Sequence, residues 1–202
     1  MKARQFIEDL DLKGRRVLIR VDFNVPLDEN QKITDNARIA AALPSIRRII
    51  ESGGKCIMMS HLGRPKGQRV ESMSLKPAAE ELSLLLEKNV ILAPDCIGSE
   101  VEKMVSQMEE GELLLLENLR FHQGETKNDP QFCEALARLG EVYINDAFGT
   151  AHRAHASTAG VAALMEDRAV GYLIRKELEF LGTAVLDPKK PFTAILGGAK
   201  VS

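Results

Sequence analysis

Apolar residues along this chain fall into short continuous runs, separated by stretches in which they recur every three or four positions. The runs at 15–22, 55–60, 89–93, 112–117 and 141–146 read as strands, and Val17, Leu18 and Ile19 in succession indicate a strand buried on both faces. The intervening stretches read as helices. In 34–54, Ile39, Ala42, Leu43, Ile46, Ile49 and Ile50 share one helical face, Pro44 is expected to bend it and Gly53–Gly54 to end it. Ser74 reads as the cap of a second helix, with Pro77 in its first turn and Leu75, Ala78, Ala79, Leu82, Leu85 and Leu86 as its stripe. Val101, Met104, Val105 and Met108 mark a third helix, and Asp129 before Pro130 opens a fourth. A last one, 171–186, carries Leu173, Ile174, Leu178, Leu181 and Val185. The alternation βαβαβαβαβ predicts the α/β class: an open parallel sheet with right-handed crossovers and helices on both faces, a Rossmann-like three-layer arrangement. Pro188 and Pro191 then break the pattern, and 192–196 reads as a strand beginning something new.

Composition narrows the class of partner. With 202 residues, 45% of them hydrophobic, the chain can bury a sizeable core. A net charge of −2 gives the whole molecule no electrostatic reason to seek nucleic acid or an anionic membrane, and neither is expected as a partner. The N-terminus is charged and has no apolar signal core, and no apolar run approaches the ~18 residues that span a bilayer. Cys56, Cys96 and Cys133 are odd in number, lack metal-ligand spacing and sit in or near apolar segments. They are expected as buried thiols in a reducing, cytoplasmic compartment.

The chemistry lies where the apolar runs end. VLIRVDFN (17–24), CIMMSHLGR (56–64), LLLLENLR (113–120), VYINDAFGTAHR (142–153) and AILGGAK (194–200) each lead into cationic or imidazole side chains. If the runs are parallel strands, their C-terminal ends share one edge, and Arg20, His61, Arg64, Arg120 and Arg153 converge there on a small, highly charged anion. Arg20, Asp22 and Asn24 share parity, so an extended backbone points all three to one side. In HLGRP (61–65) the imidazole and Arg64 can bind phosphate or carboxylate while Gly63 lets the backbone approach. Near Ala154 a helix start would offer further amides to an anion. His152 and His155 suit one helix face, but no carboxylate or thiolate nearby in sequence completes a metal set. GGAKVS (197–202) has one residue between Gly198 and Lys200, so it is not a Walker loop, although a phosphate could still meet its amides and ammonium. The first strand lacks the glycine fingerprint of a nicotinamide dehydrogenase.

VDFNVP (21–26), NARIAAALPSIR (36–47), HLGRPKG (61–67), LLLENLRFH (114–122), NDAFGTAHRAHAS (145–157) and ILGGAKVS (195–202) together resemble the phosphoglycerate kinase family in order and approximate spacing. The resemblance implies reversible phosphoryl transfer between 1,3-bisphosphoglycerate and ADP, giving 3-phosphoglycerate and ATP with Mg2+. It implies a phosphoglycerate-binding domain over 1–170, an interdomain helix over 171–187 and the start of a nucleotide-binding domain over 188–202. Carried over, Asp22 and Asn24 hold the glycerate with Phe23 between them. Arg38, His61, Arg64, Arg120 and Arg153 surround its carboxyl and phosphate groups, Leu62 and Gly63 shape the loop, and Arg20 and His152 complete the patch. Arg38 and Lys200 approach the transferring phosphoryl group. A sixth strand near Ala169–Val170, implied by the resemblance, is not legible in the hydrophobic pattern. On this reading the chain carries the substrate half of the enzyme, is inactive alone, and exposes 192–196 to self-association. The alternative from another class is a phosphometabolite-binding module without catalysis.

Overall fold

Among the described residues six parallel strands are laid out in the order β3-β4-β2-β1-β5-β6. They are β1 (Arg16–Arg20), β2 (Lys55–Met59), β3 (Val90–Leu92), β4 (Leu113–Leu115), β5 (Val142–Asn145) and β6 (Asp167–Val170). The computed structural model describes residues 5–186, 190–193 and 197. The helices are α1 (Ala37–Glu51), α2 (Lys76–Leu86), α3 (Ser99–Ser106), α4 (Gln123–Lys127), α5 (Pro130–Ala137), α6 (Phe148–Ala151), α7 (Val161–Leu164) and α8 (Tyr172–Leu186).

Alternation along β1 explains both the apolar run and the three layers. Val17 and Ile19 join a core with Ile39, Ile46 and Ile49 of α1 and Ala78 and Leu82 of α2. Leu18 points the other way, into a second core with Val101 and Val105 of α3 and Phe132 and Leu136 of α5. A strand apolar on both sides needs a helix layer on both sides, and the molecule supplies them. Fully burying one such side chain is worth about 1.5–3 kcal/mol.

Helix starts follow local chemistry with one adjustment. Asp129 caps α5 by accepting from the Phe132 amide at 3.0 Å, as its spacing predicts. α2 begins at Lys76 with Leu75 as its capping residue, one position later than expected. The Ser74 hydroxyl accepts from the Lys76 amide at 3.2 Å, but it donates at 2.7 Å to the buried Glu117, which also receives the Leu75 amide. A tertiary acceptor has drawn the serine away from simple capping. α1 continues through Pro44. The N-terminus of α8 is held from outside: Asp146, after β5, accepts from the Leu173 and Ile174 amides at 2.9 and 3.3 Å.

The sixth strand, β6, pairs with β5 from Val142 opposite Asp167 to Asn145 opposite Val170. Its sequence is DRAV, and only Ala169 is buried, so an edge strand held by backbone pairing has no apolar period to announce it. Cys56, Cys96 and Cys133 are free and buried as expected. Among the described residues no helix is long and apolar enough to cross a membrane. The expected strand 192–196 and Lys200 lie wholly or in part outside the described residues.

Candidate functional site

β1 and β5 are neighbours whose connections leave in opposite directions, so a crevice opens at their C-terminal ends. A cavity of about 260 Å³ lies there, lined by Asp22, Asn24, Arg38, His61, Gly63, Arg64, Arg120, Gly149, Thr150 and Arg153. Loops after β1, β2, β4 and β5, the short helix α6 and the first turn of α1 all contribute. The sequence reading placed eight of these ten residues here. Gly149 and Thr150 were missed; their one signal is their position in AFGTAHR, between β5 and Arg153.

Each functional side chain is held by something identifiable. β1 ends at Arg20, so the parity of a continuing strand does not aim Asp22 and Asn24. Hydrogen bonds do. Asp22 accepts from Arg38 and, at 3.2 Å, from the Asn24 amide. Asn24 accepts from the Gly63 amide at 2.9 Å, tying the β1 loop to the β2 loop. Gly63 has φ +63°, and a Cβ there would lie 2.9 Å from the Met73 sulfur, so glycine serves both backbone and space. Arg120 donates to the Gly63 carbonyl at 2.8 Å.

Asn118, wholly buried, braces both loops. Its side-chain amide donates to the Leu62 and Met73 carbonyls, each at 2.8 Å, and its oxygen accepts from the Arg120 amide at 3.1 Å. Arg64 is exposed and makes no hydrogen bond among the described residues, which leaves its guanidinium free for an anion. Arg153 is also exposed; its Nε meets His152 Nε2 at 3.4 Å.

Four expectations change. Arg20 is fully buried and does not line the cavity; it donates to Ser157 Oγ at 2.9 Å, to His61 Nδ1 at 3.0 Å and to the Val21 carbonyl. Phe23 is equally buried, in the core, and its amide is spent on Ser60 Oγ at 2.8 Å, so it supports the loop from behind. His152 is exposed and stands outside the cavity lining. The helical turn after Ala154 spans Ala156–Gly160, and its Ser157 amide donates at 3.0 Å to the chain's own Glu125, leaving that amide unavailable to a ligand. Leu62 is buried, and its carbonyl accepts from the Asn118 side chain at 2.8 Å.

The electrostatics are those of an anion site. Burial, and then Arg20, Arg120, Arg153 and His155, push the His61 pKa down to about 2, so the ring is neutral near neutral pH. Burial also lowers the Arg120 pKa, with Arg153 and Arg20 adding to it, a sign of cations crowded together without enough counter-charge. An arginine remains charged through such a shift. An anion would relieve the repulsion.

A divalent cation does not fit this cavity. Its one carboxylate, Asp22, is occupied by Arg38, and four arginines surround the space. Glu125 Oε1 lies 3.7 Å from His155 Nδ1, a carboxylate that the local sequence did not offer, yet its oxygens are taken up by Ser157. Elsewhere Asp95, Cys96 and His122 place ligating atoms within 4.8 Å of one another. There His122 Nε2 and Asp95 Oδ1 already satisfy each other at 2.7 Å.

Comparison with known proteins gives the family. The family profile described as phosphoglycerate kinase matches residues 7–202. A phosphoglycerate kinase of Anaeromyxobacter is 59% identical over 202 residues, covering 99% of this chain and 51% of the relative, and one of Chlorobium limicola is 58% identical over 199 residues. Among solved structures, phosphoglycerate kinase from Coxiella burnetii superimposes with a TM-score of 0.87 at 40% identity, over 98% of this chain and 49% of that one. The enzyme from Pyrococcus horikoshii gives 0.88 at 35% identity. The chain spans about half the length of the curated relatives it matches. With a matching profile over nearly all its residues, this chain belongs to the phosphoglycerate kinase family.

Proposed function

We propose that this chain binds 3-phosphoglycerate and 1,3-bisphosphoglycerate in the cavity at the C-terminal edge of the sheet, as the acid-binding half of a phosphoglycerate kinase. The observation that carries the reading is the cavity itself, with four arginines and a neutral histidine donor around a space of about 260 Å³. That suits a three-carbon acid bearing a phosphate at one end and a carboxyl or acyl phosphate at the other. Arg64, Arg120, Arg153 and His61 would receive the fixed phosphate and carboxyl oxygens, and Asp22 and Asn24 the hydroxyl. Residues 1–170 are proposed as this binding domain, 171–187 as the interdomain helix and 188–202 as the start of a nucleotide-binding domain. Free buried thiols and the absence of a long apolar helix among the described residues suit a cytoplasmic setting.

The reaction proposed is direct transfer. An oxygen of the ADP β-phosphate attacks phosphorus of the acyl phosphate, the new P–O bond forms, the bond to the carboxyl oxygen breaks, and the carboxylate of 3-phosphoglycerate leaves. No protein nucleophile is required, and the protein's task is alignment and stabilisation of charge on the equatorial oxygens. Arg38, at the start of α1 and hydrogen-bonded to Asp22, is proposed to meet those oxygens. Lys200 is proposed to approach the same group. Magnesium would travel with the nucleotide, since the cavity has no free carboxylate for it.

Titration calorimetry with 3-phosphoglycerate, glycerate and inorganic phosphate tests the binding. Saturation by 3-phosphoglycerate at a hundredfold excess over its Kd should stabilise the fold by about 2.7 kcal/mol, and glycerate should bind far more weakly. Absence of both heat and stabilisation would overturn the reading. A coupled assay with ADP and 1,3-bisphosphoglycerate, with and without an added nucleotide domain, separates a kinase half from a non-catalytic binding module.

A further inference from the structure

Beneath the cavity runs a buried chain of polar groups that the sequence did not reveal. Glu125 is wholly buried and accepts from Ser157 twice, from the hydroxyl at 2.7 Å and from the amide at 3.0 Å. Ser157 Oγ also receives Arg20 Nε at 2.9 Å. Arg20 in turn reaches His61 Nδ1 through Nη2 at 3.0 Å, and His61 lines the cavity. Tyr143 donates to the Ser157 carbonyl at 2.7 Å and fixes the turn from the sheet side.

The direction of every proton in this chain follows from the donor inventory. A guanidinium only donates, so His61 Nδ1 must accept and carries no proton. A neutral imidazole has one N–H, which therefore sits on Nε2. The same argument applies at the other end. Ser157 Oγ accepts from Arg20, so its own hydrogen is free to go to the Glu125 carboxylate. Neither link can run backwards. The carboxylate is also the counter-charge that a fully buried Arg20 needs: burial depresses the Arg20 pKa, and Glu125 is the largest influence restoring it.

We propose that Ser157 and Glu125 are positioning residues for His61, holding Arg20 so that the histidine presents a fixed, uncharged Nε2–H donor to the bound anion. The anion part rests on the phosphoglycerate reading above; the tautomer part does not. A donor that keeps its proton and stays neutral offers the phosphate a hydrogen bond of constant direction across the physiological range. The charged groups acting on it are Arg20, Arg120 and Arg153, with His155 after them, and Asp22, Arg38 and Arg64 share its cavity. The cations disfavour a second proton on the ring, and Glu125, separated from it by Ser157 and Arg20, is already engaged.

The test is long-range 15N–1H correlation of the imidazoles in the 15N-labelled chain between pH 5.5 and 8. His61 is assigned by its loss in His61→Gln. The expected result for the unaltered chain is a single Nε2–H pattern that does not titrate. A protonated Nδ1, or an imidazolium at pH 7, would overturn the proposal before any change at Ser157. In Ser157→Ala the single pattern should give way to a mixture of tautomers, and 3-phosphoglycerate affinity should fall about tenfold, the scale of one lost charge-assisted bond. Ser157→Thr, which keeps the hydroxyl, should restore the single tautomer. An unchanged tautomer and affinity in Ser157→Ala would remove Ser157 and Glu125 from the role. If the unaltered chain shows the Nε2–H ring but 3-phosphoglycerate does not shift it, the relay stands and the phosphoglycerate reading fails.

Discussion

Replacing Asn118 by alanine should weaken the fold and the binding site together. The side chain is wholly buried and makes three hydrogen bonds, two as donor to the Leu62 and Met73 carbonyls and one as acceptor from the Arg120 amide. Each such bond contributes about 1 kcal/mol net, and more when its partner is left buried and unpaired. The sum for Asn118→Ala is about 2–4 kcal/mol, a large share of the roughly 5–15 kcal/mol that holds a domain together. Urea unfolding should show the midpoint falling with an unchanged slope, because the surface exposed on unfolding is the same. Asn118→Asp should be worse than alanine: it keeps the shape but turns a carboxylate oxygen toward two carbonyl oxygens in a dry site. Since the same bonds hold the 61–64 loop and Arg120, 3-phosphoglycerate affinity should drop in both variants under conditions where they remain folded. A loss below about 0.5 kcal/mol in Asn118→Ala, with unchanged affinity, would refute the argument that one amide braces both loops.

Arg64→Ala should separate binding from stability: Arg64 is exposed and unbonded among the described residues, so affinity falls by about 1.5–3 kcal/mol while the ligand-free unfolding midpoint stays put, and a moved midpoint would contradict this. The His61 pKa of about 2 lies below its ordinary 6.5, so the unfolded chain binds a proton there that the folded one refuses. The stability this residue contributes is complete above pH 6.5 and is lost as pH falls from there toward 2; His61→Gln should flatten that slope, and equal slopes from pH 7.5 to 5 would count against it. In Gly171→Ala the new Cβ would lie 2.4 Å from Asp146, displacing the acceptor that caps α8 at a cost of about 1–3 kcal/mol, seen as faster hydrogen exchange across Tyr172–Leu186. With a nucleotide site supplied, Arg38→Ala should lower turnover about 10²–10³-fold with a smaller loss of phosphoglycerate binding; near-normal turnover would remove its role.

Periodicity made five of the six strands among the described residues and the long helices legible because both faces of the sheet are covered, and burial on two sides leaves an unmistakable apolar run in β1 and β4. β6 escaped for the converse reason, being an edge strand with a single buried residue. Chemistry at the strand ends was legible where residue type alone is informative, as at His61, Arg64, Arg120 and Arg153. Arg38 came only from the family resemblance, and Asn118, Glu125 and Ser157 were silent, since nothing in a sequence distinguishes a buried polar residue with partners from an exposed one without.

By itself the sequence determined the layer architecture, the edge of the sheet at which the cavity opens and the identity of most of the cations there. Tertiary structure alone decided which arginine lines the cavity and which stands behind it: Arg64 is open to solvent while Arg20, equally cationic, is spent on Ser157 and His61. The reason is that strand position fixes only where a backbone ends. Whether the side chain points into the cavity or into a buried network depends on partners such as Ser157 and, through it, Glu125, which in sequence lie far from Arg20 and are brought to it only by folding.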